Sequence, residues 1–280
     1  MTYRLLQISE KDFLRLGGLL TERYGIKMPP EKKILFQSRL QKRLLELEMT
    51  SFQEYGEFIL NPLNTESELT RMVDYLSTNK TDFFREVRHF DLILSTILPE
   101  LCNSGLPDYL IRCWSAGCST GQEAFSLAMT LEEYKLKTGA SFDYFILGSD
   151  VSARVLEIAR SGIYPFSQSA LIPHAYLKRY VLKSKDPKNQ RIKIAKSIRS
   201  KTSFIYGNLM DANYRINHKF RIIFIRNTLI YFGREDQRRI LERVLGHLEP
   251  KGYLFIGHSE SLIDFNLPVS LIGPGIYQKN

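Results

Sequence analysis

Gly117-Cys118-Ser119-Thr120-Gly121, with Glu123 just beyond and Asp150 further on, are the residues of this chain whose types and spacing could do chemistry. An apolar run over residues 110–114 breaks on the glycine turn, and a helix is predicted over residues 122–137. The next apolar run, residues 142–150, ends on the carboxylate of Asp150. Strand, glycine turn, helix, strand and terminal acid form the front half of a nucleotide-binding α/β unit, with the acid placed for ribose hydroxyls. The same five residues also spell G-x-S-x-G, the nucleophile elbow of serine hydrolases.

The spacing separates the candidate chemistries. A dinucleotide site wants G-x-G-x-x-G with its acid about 20 residues further on. Here Gly117 and Gly121 stand without a third glycine, and Asp150 lies 29 residues beyond Gly121. No G-K-[ST] follows the turn, which excludes a P-loop. S-adenosylmethionine carries no phosphate, so its turn needs only close backbone approach and acceptors for the ribose and the amino group. Asp150 and Glu123 supply such acceptors. A hydrolase would need Ser119, then an acid and a histidine, for which Asp236 and His258 are available. That elbow normally follows several strands, whereas this turn follows the first, and no H-G-G-G-type oxyanion loop precedes it.

The elements that must carry these residues divide the chain in two. The first 76 residues read as helices only. In a helix expected over residues 31–48, Phe36, Leu40, Leu44 and Leu47 make an apolar stripe, bordered by Arg39, Lys42, Arg43 and Glu46. From about residue 95, strands and helices alternate, which indicates an α/β domain with a mainly parallel sheet. Strands are expected at residues 110–114, 145–149, 204–206, 221–225 and 253–256, and helices at 152–161 and 235–248, the last stopped by Pro250-Lys251-Gly252. The alternation fails between residues 164 and 204. There Tyr180-Val-Leu-Lys, a polar turn over 184–190, Arg191-Ile-Lys-Ile-Ala and Ser203-Phe-Ile-Tyr suggest a small antiparallel β insert, about residues 176–206.

Composition limits the class. The chain has 280 residues, is 44% hydrophobic and carries a net charge of +9. Residues 178–221 hold thirteen Lys/Arg against Asp186 and Asp211, whereas residues 1–80 are nearly neutral. A basic insert favours an acidic partner: nucleic acid, an anionic membrane or an acidic protein. No apolar run reaches the ~18 residues that span a bilayer, so no membrane insertion is expected. Cys102, Cys113 and Cys118 fit neither a metal site nor a disulfide framework, which favours a reduced, cytoplasmic setting and no metal. Cys118 reads as a packing residue.

Seven collinear motifs then resemble one family over nearly the whole chain. They are Asn79-Lys-Thr81-Asp-Phe83-Phe84-Arg85-Glu86, Trp114-Ser-Ala-Gly-Cys-Ser-Thr-Gly121-Gln-Glu123, Ser149-Asp150, Ala159-Arg160-Ser-Gly162-Ile-Tyr164, Gly207-Asn208-Leu209, Arg226-Asn227-Thr-Leu-Ile-Tyr231-Phe232 and Gly257-His258-Ser259-Glu260. In this order they resemble the CheR-type chemotaxis receptor glutamate O-methyltransferases. The resemblance implies an all-helical N-terminal domain (1–76), a linker contacting the cofactor (77–94) and a Rossmann-like class I S-adenosylmethionine-dependent methyltransferase domain with its β insert (95–280). It implies Asn79, Thr81, Arg85, Gly117, Glu123, Asp150, Asn208, Leu209, Asn227 and Thr228 around S-adenosylmethionine. Arg85 would clamp the methionyl carboxylate, a bidentate task for which lysine is poorly shaped. Tyr231 and Arg226 would orient the accepting glutamate carboxylate of a chemoreceptor, docked by Arg39, Lys42 and Arg43.

Departures from the family pattern are specific. Gly121-Gln122-Glu123 replaces Gly-Glu-Glu, Leu45 stands where a further basic residue is common, and the 184–190 turn has a proline and no glycine. The last feature argues against a tether to a receptor's C-terminal peptide. A nucleic-acid methyltransferase using the basic insert is the second reading, although Arg226-Asn227-Thr228-Leu229 replaces the Asn/Asp-Pro-Pro-Tyr/Phe tetrapeptide that would clamp a flipped base.

Overall fold

A computed structural model describes residues 6–77, 79–103 and 110–280. Four helices open the chain: α1 (Glu10–Tyr24), α2 (Lys33–Glu46), α3 (Phe52–Leu60) and α4 (Thr65–Leu76). Ser9 caps α1 by accepting the Asp12 N–H at 3.0 Å, and Ser51 caps α3 through the Glu54 N–H at 3.1 Å. Phe13, Leu16, Phe36, Leu40, Leu44, Tyr55 and Met72 fill the core between these helices. α2 is shorter than its periodicity predicts, because Pro30 starts a separate 3-10 turn and Glu48 adopts a positive φ just beyond its end.

The linker leads into α5 (Arg88–Leu92), a π turn over Ile93–Ile97 and α6 (Leu98–Asn103). Then come β1 (Leu110–Ala116), α7 (Gln122–Thr138), β2 (Asp143–Asp150) and α8 (Ala153–Ser161). The insert contains β3 (Ile163–Pro165), α9 (His174–Tyr180), β4 (Val181–Lys183) and β5 (Arg191–Ile194). The chain continues through α10 (Lys196–Arg199), β6 (Thr202–Tyr206), β7 (Phe220–Ile225), α11 (Arg234–Gly246), β8 (Leu248–Ile256), β9 (Val269–Gly273) and β10 (Ile276–Lys279).

Seven strands form the main sheet in the order β6-β2-β1-β7-β8-β10-β9. The first five are mutually parallel, and β10 runs antiparallel between β8 and β9. One apolar layer on one face contains Phe90, Phe125, Ile146 and Phe224; the other contains Trp114, Ile223, Ile240 and Leu254. The order reverses between β1 and β7, and a ligand crevice opens at the carboxyl ends of strands beside such a switch point.

Two sequence expectations are corrected. Ser203-Phe-Ile-Tyr does not belong to the insert: it pairs in parallel with β2 as the edge strand β6, Phe204 opposite Gly148. The third strand of the insert is β3, antiparallel to β5, so the small sheet begins near residue 163 rather than 176. Phe204 explains the choice, since its ring is buried against Phe125 of α7 at 5.5 Å. The last long helix ends at Gly246, and β8 starts at Leu248, before the Pro-Lys-Gly turn, because Phe220 pairs with Leu248.

Candidate functional site

The glycine turn has the geometry its residues dictate. Gly117 has φ +78°, and a Cβ there would come within 2.5 Å of Thr228 Oγ1. Gly121 has φ +92°, and its Cβ would sit 2.9 Å from that of Ala159. Each glycine therefore meets both a positive-φ requirement and a close approach. Between them Ser119 also takes a positive φ. Its N–H donates to Asp150 Oδ2 at 2.8 Å, and the Ser152 N–H donates to Oδ1 at 2.9 Å. Asp150 is thereby held rigidly at the end of β2, and burial pushes its pKa up.

Ser119 does not behave as a nucleophile. Its hydroxyl donates to the Asn79 carbonyl at 2.9 Å, whereas His258 stands beside Glu86 and His89. A serine hydrolase needs its base within hydrogen-bond reach of the hydroxyl, so the hydrolase reading is overturned. Cys118 is buried and its thiol pKa raised well above the ordinary value by that burial, as a packing residue requires.

A cavity of about 440 Å³ opens over this turn. Asn79, Thr81, Arg85, Gly117, Glu123, Asp150, Asn208, Leu209, Asn227 and Thr228 all line it, together with Arg226 and Tyr231. They come from the linker, the β1–α7 turn, the end of β2 and the loops after β6 and β7. The volume lies in the range of sites that enclose a small organic ligand. Cofactor chemistry fits the groups present: the buried carboxylate of Glu123 can accept from an ammonium, Asp150 can accept from vicinal hydroxyls, and the part-buried Arg85 can donate to a carboxylate.

Several side chains do different work from that expected. Arg226 lines the cavity but is itself buried, with its guanidinium almost fully consumed. Its Nε lies 2.9 Å from Glu123 Oε2, off line for a hydrogen bond but close enough for an ion pair. Nη2 donates to the Arg85 carbonyl at 2.7 Å, and Nη1 meets His89 Nδ1 at 3.0 Å. Glu123 also accepts from Ser115 Oγ at 2.7 Å; its pKa is raised by burial against the opposing pull of Arg226. The Asn208 side chain donates to the Arg23 carbonyl at 2.8 Å, which ties it to α1. On α2, Arg39 caps the end of α4 by donating to the Leu76 and Ser77 carbonyls at 2.5 and 3.2 Å. Arg43 makes a two-pronged pair with the buried Glu68 at 2.8 and 2.7 Å. Of the three basic residues expected at a docking face, Lys42 alone is exposed; Arg39 and Arg43 are part-buried.

Sequence reasoning missed other parts of the site. Tyr24, Ile26, Met28, Lys32 and Leu35 line the cavity, so the helical domain forms one of its walls. Gly25 makes this closure possible: at φ +67° its Cβ position lies 2.6 Å from the Phe232 ring. Glu260 gathers the N–H groups of Asn227, Leu229 and Gly257 at 2.7–2.8 Å and so holds the loop after β7. The Gly-His-Ser-Glu motif contained that residue, but nothing local revealed its partners. Glu86, His89 and His258 bring ligand atoms within 4.8 Å of one another, yet Arg226 Nη1 already occupies the ring nitrogen that a cation would need.

Comparison with known proteins decides what this site belongs to. The family described as "CheR methyltransferase, SAM binding domain" matches residues 79–273, and "CheR methyltransferase, all-alpha domain" matches residues 11–77. The chain belongs to the CheR methyltransferase family. A chemotaxis protein methyltransferase of Borreliella burgdorferi is 37% identical over 278 residues, 98% of this chain and 96% of that protein. Proteins of the same name from Salmonella typhimurium and Escherichia coli are each 34% identical over 277 residues, covering 99% of this chain and 92% and 93% of theirs. As a CheR methyltransferase, the protein is an enzyme whose cofactor is S-adenosylmethionine, with a class I methyltransferase sheet preceded by an all-helical domain. Among the described residues no helix is long and apolar enough to cross a membrane.

Proposed function

We propose that this CheR methyltransferase transfers the methyl group of S-adenosylmethionine to glutamate side chains on the cytoplasmic helices of chemoreceptors. The observation that carries the reading is the convergence of the linker, the glycine turn and three strand-end loops on one cavity walled by the helical domain. When bound, S-adenosylmethionine supplies an electrophilic sulfonium methyl. In our reading Asp150 takes the ribose hydroxyls, Glu123 the methionyl ammonium and Arg85 its carboxylate. The loops carrying Asn208-Leu209 and Asn227-Thr228 line the remaining sides, the first through its main chain, since the Asn208 amide is committed to α1.

A glutamate carboxylate is already anionic near neutrality, so its methylation needs no general base; it needs in-line placement and exclusion of water. Tyr231 is the proposed orienting group: it is half-buried on the cavity wall, with Lys32 Nζ 5.9 Å from its ring centroid. Arg226 is assigned a supporting place, acting through Glu123 and the Arg85 main chain. Docking on the receptor bundle rests on Lys42, because Arg39 and Arg43 are spent within the helical domain.

The test pairs binding with turnover. S-adenosylhomocysteine is titrated into wild type and Asp150→Ala, and radiolabelled methyl transfer is followed on a chemoreceptor fragment and on RNA. We expect Asp150→Ala to weaken binding about 50-fold, as loss of charge-assisted hydrogen bonds implies, with label on the receptor fragment alone. Label on RNA instead would reverse the substrate assignment.

A further inference from the structure

We propose that His89 is a positioning residue for methyl transfer, a neutral imidazole that aims Arg226 and thereby sets the ammonium-binding carboxylate of Glu123 and the main chain of Arg85. The proposal rests on the reading that Glu123 and Arg85 hold the methionyl end of the cofactor. His89 is completely buried at the start of α5, outside the cavity lining. Its two ring nitrogens face different elements: Nε2 lies 3.2 Å from the Pro274 carbonyl and Nδ1 3.0 Å from Arg226 Nη1.

The partners determine the tautomer. A carbonyl can only accept and a guanidinium can only donate, so Nε2 carries the proton and Nδ1 is the acceptor. An imidazolium would leave Nδ1–H pointing at a cation. The surroundings keep the ring neutral: burial and the charge of Arg226 hold its pKa down to about 4. The charged and titratable groups facing it are Arg226 from the end of β7, Glu86 from the linker at 3.6 Å and His258 from the loop after β8, at a ring separation of 5.3 Å. The ring is wedged edge-on against Phe255 and Phe224, at 5.3 and 6.2 Å.

Arg226 needs such a holder. Its guanidinium carries three contacts that point in different directions, and only the one to His89 comes from outside the cavity wall. Glu86 Oε2, buried and without a hydrogen-bond partner, lies 3.9 Å from Nη1 and supplies compensating charge without fixing direction. The β9–β10 turn is shaped for the imidazole: Gly275 has φ +70°, and its Cβ position is 3.4 Å from His89 Nε2.

Two polar substitutions separate positioning from plain packing, because each preserves one nitrogen. His89→Asn places a carbonyl oxygen where Nδ1 was and keeps the acceptor for Arg226. His89→Gln reaches the Nε2 position and keeps the link to Pro274. The readouts are S-adenosylhomocysteine affinity by calorimetry and separate KM values for S-adenosylmethionine and a chemoreceptor fragment. We expect His89→Gln to raise the cofactor KM and the Kd about tenfold with the receptor KM unchanged, and His89→Asn to stay within threefold of wild type. His89→Gln combined with Glu123→Gln should weaken binding by much less than the product of the single effects, since His89 acts on Glu123 through Arg226. Should His89→Gln resist purification, Glu86→Gln tests the same guanidinium, with a threefold loss of cofactor affinity expected. Equal cofactor affinity in the two His89 variants, or both KM values rising together, would overturn the proposal. If Glu123→Gln alone binds like wild type, the reading of the methionyl site fails and the proposal with it.

Discussion

Asp150, Tyr231 and His89 show how differently burial acts on single side chains here. Burial raises Asp150 while the backbone N–H groups of Ser152, Ser119 and Val151 oppose it, so the carboxylate is prepared for partners that donate, as ribose hydroxyls do. Burial also raises the Tyr231 phenol, keeping it a protonated donor at working pH. Tyr231→Phe should therefore lower kcat about tenfold while S-adenosylhomocysteine affinity stays unchanged; a matching loss of affinity would move Tyr231 from the acceptor side to the cofactor side. His89 gives a pH prediction. Its pKa falls from 6.5 to about 4 on folding, so between those values the unfolded chain binds the proton and the folded one does not. Stability is lost as pH falls through that window, by up to ~3 kcal/mol. Glu123 and Asp150, raised on folding, act in the opposite sense. Comparing the melting temperature of His89→Asn with wild type at pH 7 and pH 5 isolates the imidazole: the variant should lose less on acidification.

At the scale of elements, the loops after β1 and β7 are built as one object. Thr228 fills the space that Gly117 leaves, and Glu260 staples the far side of the β7 loop. Gly117→Ala should cost about 2 kcal/mol and at least tenfold in cofactor affinity, through the 2.5 Å clash with Thr228 and the positive φ. Adding Thr228→Ala removes the clash but not the backbone strain, so the double variant should recover part of the affinity and little of the stability. Thermal melts and calorimetry on the four proteins measure the two parts separately. The α/β alternation was legible because helix and strand periods differ, and the glycine turn because only glycine tolerates its dihedrals. The placement of β6 was not: Ser203-Phe-Ile-Tyr is a short, mostly apolar run that fits the insert and the main sheet equally well.

Over the whole molecule, the helical domain closes the site that the sheet creates. Asp74 at the end of α4 accepts from Ser152 Oγ and from the Arg154 N–H, the residues that open α8 immediately after Asp150. The Lys27 N–H donates to the Tyr231 carbonyl at 3.1 Å, which fixes the second wall. Asp74→Ala should lower the melting temperature by about 2–6 °C, as loss of 1–2 kcal/mol implies for a domain of this size. It should also weaken S-adenosylhomocysteine severalfold, because Ser152 supports Asp150 directly. Unchanged affinity would mean that the junction holds the two domains together without shaping the cavity.

The sequence by itself determined the class of chemistry. A glycine turn without a third glycine, an acid at the end of the following strand and an acid at the helix start fitted a nucleoside-like ligand without a phosphate, and the resemblance of the seven collinear motifs implied S-adenosylmethionine. Ten cofactor-side residues chosen from those motifs line one cavity, although their individual roles remain our proposal. What only the tertiary structure decided is which charges are available. Arg39, Arg43 and Arg226 look like free cations in the chain, and each is spent on a partner distant in sequence, Arg226 and His89 being 137 residues apart. A side chain's charge is local information, but whether it faces solvent, substrate or a buried acid depends on long-range packing. The same reason hid the wall contributed by α1 and α2, since Gly25 acquires its meaning only where Phe232 meets it.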